Sequence, residues 1–132
     1  MEIRTHMLAN SGLLGEPVSL GEGRAVVELK ASGDMAVDDR GLVHGGFTFG
    51  VADYAAMLAV NDPLVVLGSA EVRFTAPVRV GETMRATARV GGLEGRRRDV
   101  SVAVEAGGRT VLEGAMTCFV LARHVLDPAP GS

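Results

Sequence analysis

The sequence predicts an α+β fold in which one long buried helix lies against a single curved antiparallel sheet, and three observations predict it. Residues 45–60, GGFTFGVADYAAMLAV, form a helix-length run that is apolar or small on nearly every face, the pattern of a helix enclosed by protein. After this run, apolar and polar residues alternate with the period of two that a half-buried strand requires. The alternating segments are joined by short glycine-rich connections, which suit hairpins and not crossover helices.

Taken in order, residues 1–14 read as a lead-in, either a short helix or extended chain. A strand pair follows at 17–20 and 24–30, turning at Gly21, Glu22 and Gly23. ASGDMAVDDRGLV is dense in loop residues. The helix begins at Gly45 or Gly46 and stops at Asn61-Asp62-Pro63, because proline cannot continue a helix and pushes the residue before it out of the α region. In the next segment Ala70, Val72, Phe74 and Ala76 alternate with Glu71, Arg73 and Thr75, so one face is expected to meet the core. Met84, Ala86, Ala88 and Val90 repeat the pattern, and so do Val100, Val102 and Val104. With breaks at Val80-Gly81-Glu82, 91–95 and Gly107-Gly108, the expected sheet is an antiparallel meander. A single helix leaves edges and sheet surface to be covered by another copy of the chain, so a homo-oligomer is expected.

The 132 residues are 47% hydrophobic and 22% charged, a globular mixture sized for one domain, assigned to 1–126. DPAPGS, at 127–132, is expected to be a disordered tail. A formal charge of −3 supplies no basic footprint, so neither nucleic acid nor an anionic membrane is an expected partner. No run reaches the roughly 18 apolar residues of a membrane span. The one cysteine, Cys118, sits in an alternating apolar stretch and reads as a small hydrophobe in a strand; a reducing, cytoplasmic setting fits. No spacing of Cys, His or carboxylates suggests a metal. His6 and His124 lie near the termini without ligand-type partners.

Within the greasy helix stands one carboxylate, Asp53. Removing an unpaired carboxylate from water costs on the order of several kcal/mol, so Asp53 is either paired or used. At the helix start, His44-Gly45-Gly46 presents backbone N–H groups with no intrahelical partner at the positive end of the macrodipole. Glycine lets a ligand oxygen approach such groups; equally, two glycines simply permit a tight turn into the helix.

HGGFTFGVAD, with its aspartate nine positions after the histidine, then the strand from Glu71 to Pro77 and VRVGETMRATARV, resembles the hotdog-fold acyl-CoA thioesterases. The likeness covers residues 16–121 and is greatest to the phenylacetyl-CoA and 4-hydroxybenzoyl-CoA type. It implies a central helix wrapped by the sheet, and dimers or tetramers in which two protomers join sheets edge to edge around a substrate tunnel. The first amides of the helix, Gly45 or Gly46, would receive the thioester carbonyl. Asp53, from the other subunit, would be general base or nucleophile, and His44 would touch the thioester or hold the loop. Coenzyme A enters as part of the substrate, with no further cofactor.

The chain departs from the family pattern at three positions, and Asp38, the first of them, is either a second acid near the thioester, which would raise the pKa of its neighbour, or simply a loop residue. Asp38 stands where relatives carry an asparagine or glutamine, Met57 where some carry a threonine, and Ser69 is the nearest match to a strand serine, although the register favours Leu67. Phe47, Tyr54, Met57 and Phe74 are candidates for the acyl end of the pocket. Arg96, Arg97 and Arg98 are candidates for the coenzyme A phosphates. A hotdog hydratase would place a histidine five residues after the acid, where this chain has Leu58. The remaining rival is a module that binds or senses acyl-CoA without cleaving it.

Overall fold

The computed structural model describes residues 1–128. It contains a short helix α1 (Ser11–Leu14), strands β1 (Glu16–Gly21) and β2 (Arg24–Lys30), a 3-10 turn (Gly33–Met35), the long helix α2 (Gly45–Val60), and strands β3 (Val65–Phe74), β4 (Thr83–Glu94), β5 (Arg97–Ala106) and β6 (Arg109–Val120). The six strands form one antiparallel sheet in the order β1-β2-β4-β5-β6-β3. α2 lies across its concave face.

Small residues let the helix come close. Ala52, Ala55, Ala56 and Ala59 of α2 are buried, as are Ala25, Ala86 and Ala88 of the sheet. Met35, Met57, Met84 and Met116 are also buried, unbranched side chains that fill irregular gaps between the layers. The helix ends as its sequence requires. Asn61 adopts the left-handed conformation (φ 52°) and its N–H caps Met57 O at 2.8 Å, a glycine-like termination that asparagine tolerates. Asp62 Oδ1 then accepts from Leu64 N–H at 2.9 Å.

Three expectations need correction. The sheet is not a sequential meander: β3 crosses to the far edge and pairs with β6, while β4 takes the place beside β2. Ala70 and Phe74 do not face a core, since β3 is an edge strand whose middle is exposed, Phe74 to 56%. β4 also runs on through Glu94, passing the glycines at a bulge between Val90 and Gly92, so the turn to β5 is Gly95-Arg96 alone. Of the tail, Asp127 N–H closes a turn on His124 O at 2.9 Å; residues 129–132 lie outside the described residues.

The two sheet edges differ. β1 is short, carries Pro17 and is bulged between Pro17 and Ser19, features that discourage pairing. β3 offers ten residues without proline, with a bulge of its own between Leu67 and Ser69. It is the longer of the two free edges.

Candidate functional site

His44 is the N-cap of α2, and Gly46 N–H donates to its Nδ1 at 2.8 Å. An accepting Nδ1 puts the ring proton of a neutral imidazole on Nε2. The cap uses the Gly46 amide. The Gly45 N–H has no partner among the described residues. It borders a hollow of about 430 Å³ lined by Val43, Gly45, Thr48, Phe74 and the segment 75–78. Pro77 leads from there into a neighbouring hollow bordered by Asp38, Arg40, Leu42 and Arg79.

Asp53 lies two turns along, about 12 Å at 1.5 Å per residue, on a separate cavity of about 470 Å³. Helix residues Asp53 and Met57, the segment Pro63–Leu67, Thr5 and His6 from the lead-in, and His124 and Val125 from beyond β6 line it. Asp53 Oδ1 is buried and accepts no hydrogen bond. Burial raises the carboxyl pKa above its usual value, and the nearby His6 offsets part of that rise. A carboxylate held this way is a stronger base than one in water. Cys118 is fully buried behind it, its thiol pushed up to about 11 by burial first and then by Asp53 and Asp99. It is a packing residue, with no thiolate to offer near neutral pH.

The other predicted residues scatter. Met57 lines the Asp53 cavity, and Tyr54 is buried with its ring 6.4 Å from that of His6. Phe47 packs on the core beside His44, 6.4 Å between ring centroids, and does not line the cavity. Asp38 is a loop residue: its Oδ1 accepts from Arg40 N–H at 3.0 Å and Leu42 N–H at 3.1 Å, closing the loop before the helix. Ser69 is exposed on β3, past the bulge that separates it from Leu67, and the β3 residues that reach the cavity are Val65, Val66 and Leu67. Arg97 pairs with Asp99 at 2.9 Å, and Arg98 donates to the carbonyls of Gly95 and Arg97. Arg96 stands exposed at the turn. His6 and His124, expected to be idle, both reach the Asp53 cavity, because residues 5–6 and 124–125 converge over the C-terminal half of α2. Arg40 and Arg79 were missed as well. Among the described residues neither guanidinium has an ion-pair partner.

No group of three or more metal-ligating side chains occurs among the described residues. Nor, among them, is any helix long and apolar enough to cross a membrane.

Residues 38–123 match the MaoC-like domain family. A methylthioribose-1-phosphate isomerase of Aquifex aeolicus is 50% identical over 122 residues, which are 92% of this chain and 27% of that relative. A transcription factor FapR of Shouchella clausii is 29% identical over 113 residues, 85% of this chain and 59% of the relative. The chain thus spans only part of the curated relatives it matches. Among solved structures, an uncharacterized protein from Pyrococcus horikoshii is 54% identical with a TM-score of 0.94, covering 96% of this chain and 98% of that one. A point mutant of the phenylacetic acid degradation protein PaaI from Thermus thermophilus is 31% identical with a TM-score of 0.75, covering 84% and 97%. A family match over most of the chain, on a fold of one central helix wrapped by six antiparallel strands, means that this chain belongs to the MaoC-like family of hotdog-fold domains.

Proposed function

We propose that the protein is an acyl-CoA thioesterase acting as a dimer, with Asp53 of one protomer facing the Gly45 amide of the other. The observation that carries this reading is the buried Asp53 Oδ1, which has no partner and borders a cavity. An unpaired carboxylate is expensive to keep inside a protein unless chemistry uses it. The topology supports a shared site. The Asp53 cavity borders the first residues of β3, Val65–Leu67, and the Gly45 hollow borders its last, Phe74. Two-fold antiparallel pairing of β3 edges near their middle sets the start of one strand against the end of the other. Each Asp53 cavity then meets a partner's Gly45 hollow.

In that arrangement the Gly45 N–H, at the positive end of the α2 dipole, holds the thioester oxygen as it becomes an oxyanion. One such donor typically contributes about a hundredfold or more in rate. Asp53 takes a proton from water as that water's oxygen bonds to the acyl carbon. The C–S bond then breaks, and the thiol leaves with a proton. Arg40 and Arg79, beside the Gly45 hollow, are better placed for the phosphates of coenzyme A than Arg97 and Arg98, which are already engaged. Arg40→Ala with Arg79→Ala should therefore raise KM for an acyl-CoA by about tenfold, since each charge-assisted bond is worth about 1.5–3 kcal/mol before screening. KM for the matching acyl-pantetheine, which lacks those phosphates, should not change; equal effects on both esters would remove the arginines from the site.

The hydratase alternative lacks its second helical group, because the residue five positions after Asp53 is Leu58, which has no group to donate or accept a proton. Likeness to a transcription factor favours one other reading, a ligand-sensing module. Free-thiol release from a panel of acyl-CoA esters separates the two, combined with mixing of two inactive variants, Asp53→Asn and Gly45→Val. A two-chain site regains about a quarter of wild-type activity on mixing, because half the dimers are mixed and each contains one intact site. Tight binding without turnover of any ester would identify a sensor.

A further inference from the structure

The lead-in before α1 is pinned down in a way that no strand or helix requires. Asn61, already the C-cap of α2 and only 7% exposed, accepts from Arg4 N–H through Oδ1 at 2.7 Å and donates from its side-chain nitrogen to Glu2 O at 2.8 Å. Thr5 is buried as a result. His6 follows with φ 56°, a left-handed backbone that a non-glycine residue adopts only when its surroundings impose it. Its carbonyl accepts from Ala9 N–H at 3.0 Å, turning the chain away and leaving the imidazole on the Asp53 cavity. The Thr5 hydroxyl and His6 Nδ1 share a hydrogen bond of 2.8 Å, and the Tyr54 ring is 6.4 Å away, tilted by 38°. With Nδ1 engaged, Nε2 is the free nitrogen. The titratable groups around it are Asp53 and Tyr54 from α2 and His124 from the C-terminal segment; His124 Nδ1 is itself occupied by Leu126 N–H at 3.0 Å.

We propose that His6 is the second acid/base residue of the site, protonating the departing thiolate sulfur, an inference that rests on the thioesterase reading above. The cycle begins with Asp53 as carboxylate and His6 as imidazolium. Asp53 takes one proton from water, and the hydroxide oxygen bonds to the acyl carbon. Collapse of the tetrahedral intermediate breaks the C–S bond, and the sulfur takes the Nε2 proton of His6. Asp53 then returns its proton to the imidazole, so the products are the free acid and the thiol and both residues are restored.

The test compares an acyl-CoA with an aryl thioester of the same acyl group, whose acidic thiol leaves without a proton. His6→Gln should lower kcat on the coenzyme A ester by about a hundredfold, in the range of general acid catalysis, and on the aryl ester by less than about threefold. Asn61→Gly, which keeps the left-handed cap but releases the lead-in, should shift the two esters in the same unequal way by a smaller factor. Equal slowing of both esters by His6→Gln, or no slowing, overturns the role of His6 while leaving the thioesterase reading intact if Asp53→Asn is inactive. Absence of thiol release from the wild-type protein overturns both.

Discussion

Asp53→Asn should abolish thiol release and at the same time raise the melting temperature at neutral pH. The loss is expected to reach about a thousandfold, since the amide removes a general base worth some 10²–10⁴ in rate. The stability gain follows from the same burial that makes the carboxylate useful. Desolvation raises the Asp53 pKa in the folded protein above its usual value of 3.8, so the folded state holds this proton more tightly than the unfolded chain does. Stability is then highest below the unfolded pKa, falls as pH rises toward the folded pKa, and levels off above it. A neutral isostere carries no such penalty. Its advantage should grow as pH rises above about 3.8 and should vanish below that, where both proteins are uncharged at this position. Thermal melts of the two proteins across that range check the sign. A structural anchor behaves in the opposite way: if Asp53→Asn melts lower at neutral pH, the carboxylate has a partner that stabilises the fold, and the catalytic reading fails.

The parts of the fold that were legible in the sequence are those set by local chemistry. Pro63 and Asn61 end α2 at Val60, and the alternation through Met84, Ala86 and Ala88 and through Val100, Val102 and Val104 identifies the buried face of β4 and β5. The position of β3 was not legible. Alternation at Ala70, Val72 and Phe74 looks the same whether a strand faces its own core or lies at an edge, and edge choice depends on pairing with β6, whose partner residues lie 38 to 55 positions further along the chain. Within the site, the helix-start glycines and Asp53 were identifiable because a polar interruption of an apolar helix is itself a signal. His6 had no comparable local signal. It joins the site through Asn61, a contact across 57 residues of sequence. Of the arginine triplet, Arg97 is already engaged for a reason visible in the strand period: Asp99 lies two residues after it on the same face and pairs with it.

Gly114→Ala should be the most damaging single substitution outside the chemistry, because it strikes the strand on which a two-chain site depends. Gly114 on β6 pairs with Val72 on β3, at φ 159°. A Cβ there would overlap the Glu71 carbonyl oxygen and stand 2.7 Å from Val72 Cα. Both are backbone atoms of the paired strand, so no side-chain rotation relieves the clash, and β3 must move away from β6 along its middle. Overpacking of this kind costs about 2–3 kcal/mol, a fall of roughly 10 °C in a domain of this size. Gly33→Ala is the matched control, since nothing lies within 4 Å of a Cβ at that position, and surface changes of that kind stay within about 0.5 kcal/mol. Displacing β3 also disturbs its free edge, so the variant should sediment as a monomer at temperatures where it is still folded, and thiol release should fall with the dimer fraction. If it melts early yet remains a fully active dimer, the interface lies elsewhere than β3, and Asp53 does not meet a partner's Gly45 amide.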